Sequence, residues 1–162
     1  MSGINHGPNL SRDITYSGTV TAAMEGAIWG VPAVAVSLND YSPEADFSCA
    51  AEAGLTVARS VSAHTLPPLT LLNVNVPCLP CDAIAGIKVT RQGRRVYREE
   101  LVKRLDPRGR PYYWLGGDVP SGDEEEEGTD VWAVAKGYIS VTPITMDMTH
   151  YQAIEALQSW DW

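Results

Sequence analysis

The chain has 162 residues, of which 44% are hydrophobic, and this suits one folded domain, residues 1–162, with a real core. Its formal net charge of −8 argues against binding to nucleic-acid polymers or anionic membranes, because both need a basic surface. No apolar run reaches the roughly 20 residues of a membrane-spanning helix, and no signal peptide opens the sequence, so we expect a cytoplasmic protein. Three cysteines, an odd number, do not suggest a disulfide framework.

The first half of the chain alternates helical and extended patterns. Residues 19–28 are predicted to form a helix that Gly30 ends, because their apolar positions recur with helical spacing. The apolar run 32–38 predicts a strand covered on both faces, and 71–76 predicts another. A second helix is predicted from Ser42 to about Ala63, since a hydroxyl, a proline and an acid form its start. This alternation favours an α/β fold with a parallel sheet between helices.

The second half has a different pattern. Three extended segments, 87–91, 94–101 and 111–115, are separated by turn sequences, and they predict a β-hairpin arm of about residues 87–116 at the sheet edge. The acidic stretch 116–128 is predicted to be a solvated loop.

The chain then returns to helical and extended patterns. Thr129 is predicted to begin a short helix that ends at Gly137, and 138–144 to form a strand. The last helix is predicted to be capped by Thr149.

Two polar clusters near the start carry most of the chemistry. Residues 2–9 and 16–19 run straight into the first predicted helix, where free backbone N–H groups and the helix dipole favour an anion. We therefore predict a phosphate-binding loop at this helix end. Its candidate residues are Gly7, Asn9, Ser17, Gly18 and Thr19.

Several of these residues also have a purely structural interpretation. Asn9 could donate its amide to a phosphate oxygen or only stabilise the loop. Ser17 or Thr19 could hold a phosphoryl group, cap the helix, or do both. His6 is a candidate general acid, although a lone loop histidine is more often incidental.

Cys78 and Cys81 have the spacing of half a zinc site or of a redox pair. A zinc site needs further ligands, and Cys49 alone adds too few. A redox motif normally starts a helix, whereas Pro80 separates this pair, so we interpret the two cysteines as an incidental loop pair. A thiol or zinc protein built on them remains a rival hypothesis.

Several stretches, in order and across nearly the whole chain, resemble the SurE family of metal-dependent 5′/3′-nucleotidases. They are Ser2-Gly-Ile-Asn5, Gly7-Pro-Asn-Leu10, Tyr16-Ser-Gly-Thr-Val20, Ala22-Ala-Met-Glu-Gly26, Leu72-Asn-Val-Asn-Val-Pro77, Asp106-Pro-Arg-Gly109 with Tyr112-Tyr-Trp114, Gly128-Thr-Asp130 and Gly137-Tyr-Ile-Ser-Val-Thr-Pro143. The resemblance implies a three-layer α/β/α fold with a mostly parallel sheet and a β-hairpin extension. It also implies removal of phosphate from nucleoside 5′- and 3′-monophosphates, with a divalent ion, Mg²⁺ or Mn²⁺.

One departure from the family pattern concerns the metal. Family members open with a strand that ends in Asn-Asp-Asp-Gly and have a metal-binding serine further on, and this sequence begins after both. Of the family's ligands only the asparagine remains, at Asn5, which the resemblance makes a catalytic metal ligand together with Asn9 as a catalytic residue. The chain therefore resembles the C-terminal two-thirds of a SurE protein, without the first strands and without the aspartate pair. We expect it to bind metal weakly and to hydrolyse little alone, because Mg²⁺ is normally bound through at least one carboxylate.

Two further expectations follow from the resemblance. Family members form dimers or tetramers, so residues 91–116 and the final helix with Trp160 and Trp162 are candidate subunit contacts of a homodimer or homotetramer. A non-catalytic remnant or partner subunit, which binds nucleotide or phosphate without turnover, is the alternative to an enzyme.

Overall fold

The computed structural model describes residues 1–97, 99–117 and 121–162, and its centre is a five-stranded sheet. Strands β1, β2, β3, β9 and β4 lie side by side in that order. The neighbours β1, β2 and β3 are parallel, as are β4 and β9, whereas β9 runs antiparallel to β3. The sheet is therefore mostly parallel, as predicted. The strands are β1 (Ser2–His6), β2 (Ala33–Asn39), β3 (Thr70–Pro77), β4 (Ile87–Val89), β5 (Arg95–Val96), β6 (Glu99–Leu105), β7 (Pro111–Gly117), β8 (Ser121–Gly122) and β9 (Ile139–Thr145).

Helices cover both faces of this sheet and complete the three predicted layers. The helices on the sheet are α1 (Gly18–Ile28), α2 (Ser48–Ala63) and α3 (Asp130–Ala135), whereas α4 (Tyr151–Gln158) has no buried residue. Alternate residues of β2 point to opposite faces, so Val34 and Val36 pack under α2 while Ala33 and Ala35 pack under α1. Both sets are buried, which explains why β2 has an uninterrupted apolar sequence.

The first predicted helix is confirmed, and its two ends have local causes. The Ser17 hydroxyl accepts a hydrogen bond from the backbone N–H of Val20 and so caps α1. Two residues after Ile28, Gly30 has a φ of 71°, a left-handed conformation that glycine adopts at little cost.

The predicted start of the second helix, Ser42, is wrong. The Ser42 hydroxyl does accept the N–H of Glu44, but these residues form only one turn, and α2 begins at Ser48. The Asp46 carboxylate accepts the N–H of Ser48, and such a local turn competes with a helix for the backbone donors. The helix end near Ala63 is confirmed.

The predicted cap of the last helix, Thr149, is also wrong. Its N–H donates to Asp147, and His150 becomes the N-cap of α4, with Nδ1 accepting the N–H of Ala153. A neutral imidazole nitrogen is an acceptor that a propensity rule for hydroxyl caps overlooks. Thr129, in contrast, caps α3 as predicted.

The predicted arm is a hairpin of β6 and β7, closed by the turn at Asp106, whose backbone oxygen accepts the N–H of Gly109. Other parts of the range 87–116 behave differently. β4 joins the central sheet beside β9 instead of the arm. The single segment predicted for 94–101 is two strands, because β5 pairs with β8 and β6 with β7. The stretch 116–128 is therefore not wholly a loop, although residues 118–120 lie outside the described residues.

None of the helices in the described residues is long and apolar enough to span a bilayer.

Candidate functional site

The sheet face under α1 changes from apolar to polar toward the carboxyl ends of β2 and β3. Ala35 and Leu71 pack under α1, and the residues that follow on the same face carry hydroxyl and amide groups. All of these polar side chains are buried, so they need hydrogen-bond partners. The set comprises Ser37 of β2, Asn73 and Asn75 of β3, and Ser140 and Thr142 of β9.

This polar surface anchors the loop that follows β1. Asn75 receives the backbone N–H of Asn9 at 2.8 Å and donates its own amide to the Asn9 oxygen at 3.0 Å. Asn73 donates to the same oxygen at 2.8 Å. The side-chain amide of Asn9 donates one of its two protons to the Ser37 hydroxyl, at 2.7 Å. The buried Oδ1 of Asn73 has no partner among the described residues. A phosphate contact from Asn9 stays a prediction, now limited to its second proton.

Gly7 lets the loop turn directly after β1. Its φ is 102°, a conformation that favours glycine, and a Cβ there would also displace the exposed Tyr41 ring, which lies 2.5 Å away. Its N–H donates to the Leu38 oxygen at 3.0 Å, which holds the turn against β2.

Asn5 connects this turn to the start of α1. Its Nδ2 donates to the Gly7 oxygen at 2.8 Å, and its Oδ1 accepts the Thr19 hydroxyl at 3.1 Å. Four residues that the sequence singled out, Asn5, Gly7, Ser17 and Thr19, are thus brought together at one end of α1. We call this group, together with Gly18, the cradle.

The cradle presents unused hydrogen-bond donors. The N–H groups of Gly18 and Thr19 open α1 and have no acceptor among the described residues. A Cβ at Gly18 would meet nothing within 4 Å, so the backbone is open to a ligand there. Ser17 keeps its hydroxyl proton available while its oxygen caps the helix. Free amides at a helix N-terminus favour a bound anion.

A buried carboxylate holds the segment between the loop and α1. Asp130 accepts the N–H of Ser11 and of Gly93, each at 2.7 Å, and that of Val131 at 2.9 Å. Burial raises its pKa, against the lowering effect of these amide hydrogen bonds. The Ser11 hydroxyl in turn donates to the Gly93 oxygen and accepts the Arg95 N–H. Sequence reasoning missed Asp130, and its only signal was the Gly-Thr-Asp match.

A second charged group borders the cradle. The Asp13 carboxylate accepts hydrogen bonds from Arg95 Nη1 at 2.6 Å and from the Tyr97 hydroxyl at 2.5 Å. These two partners are 82 and 84 positions away from Asp13 in the sequence. Burial, and then the bond to Asp13, raise the pKa of Tyr97 to about 12. Asp13 and Tyr97 border a cavity of about 450 Å³. Its lining comprises Asn9, Asp13, Tyr16, Ser17 and Tyr97. Sequence reasoning missed this group, because no local pattern joins residues so far apart.

His6 lies away from the cradle. Asn5 points toward α1, and the next side chain on the strand points to the other face. The His6 ring accordingly packs edge-on against Phe47, with ring centroids 5.8 Å apart. This geometry favours a structural role.

The three cysteines differ from the sequence expectation. Cys49 and Cys81 form one disulfide, which the sequence analysis did not predict. Cys78 donates its thiol to Asp40 at 3.2 Å, and that bond, followed by burial, raises its pKa. The described residues hold no group of three or more His, Cys, Asp or Glu side chains that could bind a metal, so they offer no zinc site.

Residues 1–99 match the sequence model of the family described as Survival protein SurE. This match covers more than half of the chain. The chain belongs to the SurE family.

Known SurE proteins extend the match over the rest of the chain. The proteins called 5′-nucleotidase SurE from Chloroflexus aggregans and Symbiobacterium thermophilum are 50% and 51% identical to it, over 100% and 99% of its length. The crystal structure of the SurE protein from Aquifex aeolicus, 46% identical, superposes on 96% of the chain with a TM-score of 0.82. The α/β fold is thereby confirmed. The chain spans 64%, 62% and 62% of the lengths of these three proteins.

Proposed function

We propose that this chain takes part in the removal of phosphate from nucleoside 5′- and 3′-monophosphates. The observation that carries the proposal is the cradle, where two free amides, a serine hydroxyl and open space at Gly18 meet beside a cavity. The names of the relatives, 5′-nucleotidase SurE, support the same reaction class.

Each cradle residue has a distinct role in this proposal. The Gly18 and Thr19 amides bind oxygens of the phosphoryl group and stabilise the charge that grows on them during transfer. The Ser17 hydroxyl donates to a further oxygen without giving up the helix cap. Asn5 fixes the Thr19 side chain, so the hydroxyl does not turn into the anion site. The Asn73 and Asn75 amides keep the loop backbone from shifting when the ligand enters.

The proposal includes dependence on a divalent ion, Mg²⁺ or Mn²⁺, with Asn5 Oδ1 as the oxygen that this chain contributes. The described residues do not form a complete site for such an ion. They offer one neutral amide oxygen there and no metal-binding cluster, whereas Mg²⁺ is normally held by at least one carboxylate. The resemblance assigns the carboxylates to an N-terminal segment that precedes the matched region.

Phosphate release tests this reaction. The chain should be combined with a separately expressed N-terminal segment of a SurE relative, and phosphate release from AMP and 3′-AMP measured with Mn²⁺ and with EDTA. We expect release only from the combination with Mn²⁺, and its loss in Asn5→Leu. Absence of release from a well-folded complex would refute the mechanism.

Binding of inorganic phosphate to the 162-residue chain tests the cradle by itself. Gly18→Val places a side chain in the open space where the anion would lie, without a clash inside the protein. It should abolish phosphate binding, whereas Gly30→Asn, at the other end of α1, should leave it unchanged. Equal affinity in Gly18→Val and the unmodified chain would show that phosphate binds elsewhere.

A non-catalytic binding subunit is the second candidate function. The lack of a carboxylate cluster among the described residues favours it, because a cradle without metal ligands binds phosphate but does not activate water. The combination experiment separates the two functions, since a binding subunit would take up AMP in the complex without releasing phosphate.

We also propose that the chain forms a homodimer or homotetramer through its arm and α4. Large apolar side chains there are exposed, including Trp114 at 60% and Trp162 at 91%, and such surfaces are typical of subunit contacts. Light scattering after size exclusion tests this, and Trp114→Ser with Leu115→Ser should shift the mass toward the monomer.

A further inference from the structure

Two aromatic side chains border the same cavity as the cradle serine. Tyr16 is 91% exposed and Tyr97 is 49% exposed, yet both line the cavity that Ser17 enters. At about 450 Å³ this cavity lies within the size range of small-molecule sites, which is about 300–1,000 Å³. It has room for more than the phosphoryl group that the cradle would hold.

The Tyr97 ring is held in place although the residue is about half exposed. Its hydroxyl donates to Asp13 at 2.5 Å, and the Arg95 guanidinium lies 5.7 Å from the ring centroid. Arg95 also pairs with Asp13 at 2.6 Å. A ring positioned by a carboxylate and a cation loses little conformational freedom when a ligand stacks on it.

The charge on Asp13 does not argue against an anionic ligand in this cavity. A lone carboxylate would repel a phosphate, but the buried side chain of Arg95 neutralises it at 2.6 Å. The pair therefore provides a positioning group with no net charge.

We infer that Tyr16 and Tyr97 form a nucleobase subsite, in which the base of a nucleoside monophosphate stacks while its phosphoryl group occupies the cradle. This inference rests on the proposed function and specifies how its substrate is recognised. Tyrosine faces accept any base, because every base has a π-face. The subsite therefore distinguishes nucleotides from sugar phosphates and discriminates little among the bases.

The test compares two probes on the 162-residue chain, AMP and ribose 5-phosphate, in which a hydroxyl group on C1 replaces the base. Dissociation constants are measured by ligand-observed NMR. Stacking is expected to make AMP bind about 5- to 100-fold more tightly than ribose 5-phosphate. Tyr97→Leu and Tyr16→Leu should each reduce this ratio and leave the affinity for ribose 5-phosphate unchanged.

Two controls separate a subsite from a structural effect. Tyr97→Phe keeps the ring and should keep most of the preference for AMP. Tyr113→Leu removes an exposed tyrosine of the arm, 57% exposed, and should change neither affinity. If Tyr97→Leu does not fold, as judged by circular dichroism, Tyr16→Leu decides, because its side chain is almost fully in solvent.

The outcomes distinguish this inference from the proposed function. Equal affinity for the two probes, or an unchanged ratio in the leucine variants, would overturn the subsite and leave the phosphate cradle standing. Binding of neither probe to the folded chain would overturn both the subsite and the cradle.

Discussion

Replacement of Asp130 by alanine is expected to destabilise the protein strongly and to loosen the segment before α1. The carboxylate binds two amides that are distant in sequence, those of Ser11 and Gly93, each at 2.7 Å. Alanine leaves these two N–H groups without a partner, at a cost of about 1–3 kcal/mol each, which amounts to about 2–6 kcal/mol. Burial outweighs the effect of these bonds on the ionised carboxylate, because the Asp130 pKa is raised, so the loss is largest at low pH, where the carboxyl group is protonated. We expect the free energy of unfolding to fall by about 3 kcal/mol.

The loss is measured by urea denaturation followed by circular dichroism. For a chain of this size, about 3 kcal/mol corresponds to a fall in Tm of about 6–12 °C. Asp82→Ala, at an exposed aspartate in the short turn after Pro80, serves as the matched control and should stay within about 0.5 kcal/mol of the unmodified chain. An Asp130→Ala variant as stable as this control would refute the idea that the carboxylate holds the segment.

Three more predictions concern the same region. Because the pKa of Asp130 is raised above 3.8, the folded state keeps the carboxyl proton at pH values where the unfolded chain releases it. Protonated Asp130 therefore adds to the unfolding free energy fully below about pH 3.8, and this contribution is lost as the pH rises through the folded pKa. Compared with Asp130→Asn, the unmodified chain should therefore lose unfolding free energy as the pH rises above about 4, and a difference between the two variants that stays constant with pH would contradict this. Ser17→Ala removes the cap on Val20 and should cost about 1 kcal/mol, whereas Ser17→Asp keeps the cap but should abolish phosphate binding in a calorimetric titration. Arg95→Met leaves Asp13 unpaired and should weaken AMP binding, and Asp13→Asn in the same chain should restore it; a double variant as weak as Arg95→Met would exclude charge repulsion as the cause.

Much of the fold could be predicted from local sequence. The range of α1, its cap at Ser17 and its end at Gly30 depend on residues a few positions apart, and the same holds for β2, β3 and the turn at Asp106. The start of α2 was mispredicted because Asp46 accepts the N–H of Ser48, which a helix from Ser42 would use internally. The start of α4 was mispredicted because the His150 imidazole, and not a hydroxyl, caps it.

The candidate site divides in the same way. The polar loop and helix start that carry Asn5, Gly7 and Ser17 are visible in the sequence, and the structure brings them together. The bracing contacts of Asp130 and Tyr97 have no local signal, because their partners Ser11 and Asp13 are 119 and 84 residues away, and only the family resemblance pointed to Asp130. The Cys49–Cys81 disulfide, with a separation of 32 residues, was missed for the same reason.

The sequence by itself therefore determined the family, the alternation of strands and helices, and the loop that presents free amides at the start of α1. Only the tertiary structure decided which distant side chains face that loop, and so which residues brace it and line its cavity. The physical reason is that periodicity and capping act within a few residues along the chain. The contacts of Asp130, Arg95 and Tyr97, in contrast, exist only after the sheet has formed and the segment with β5 has folded against the first loop.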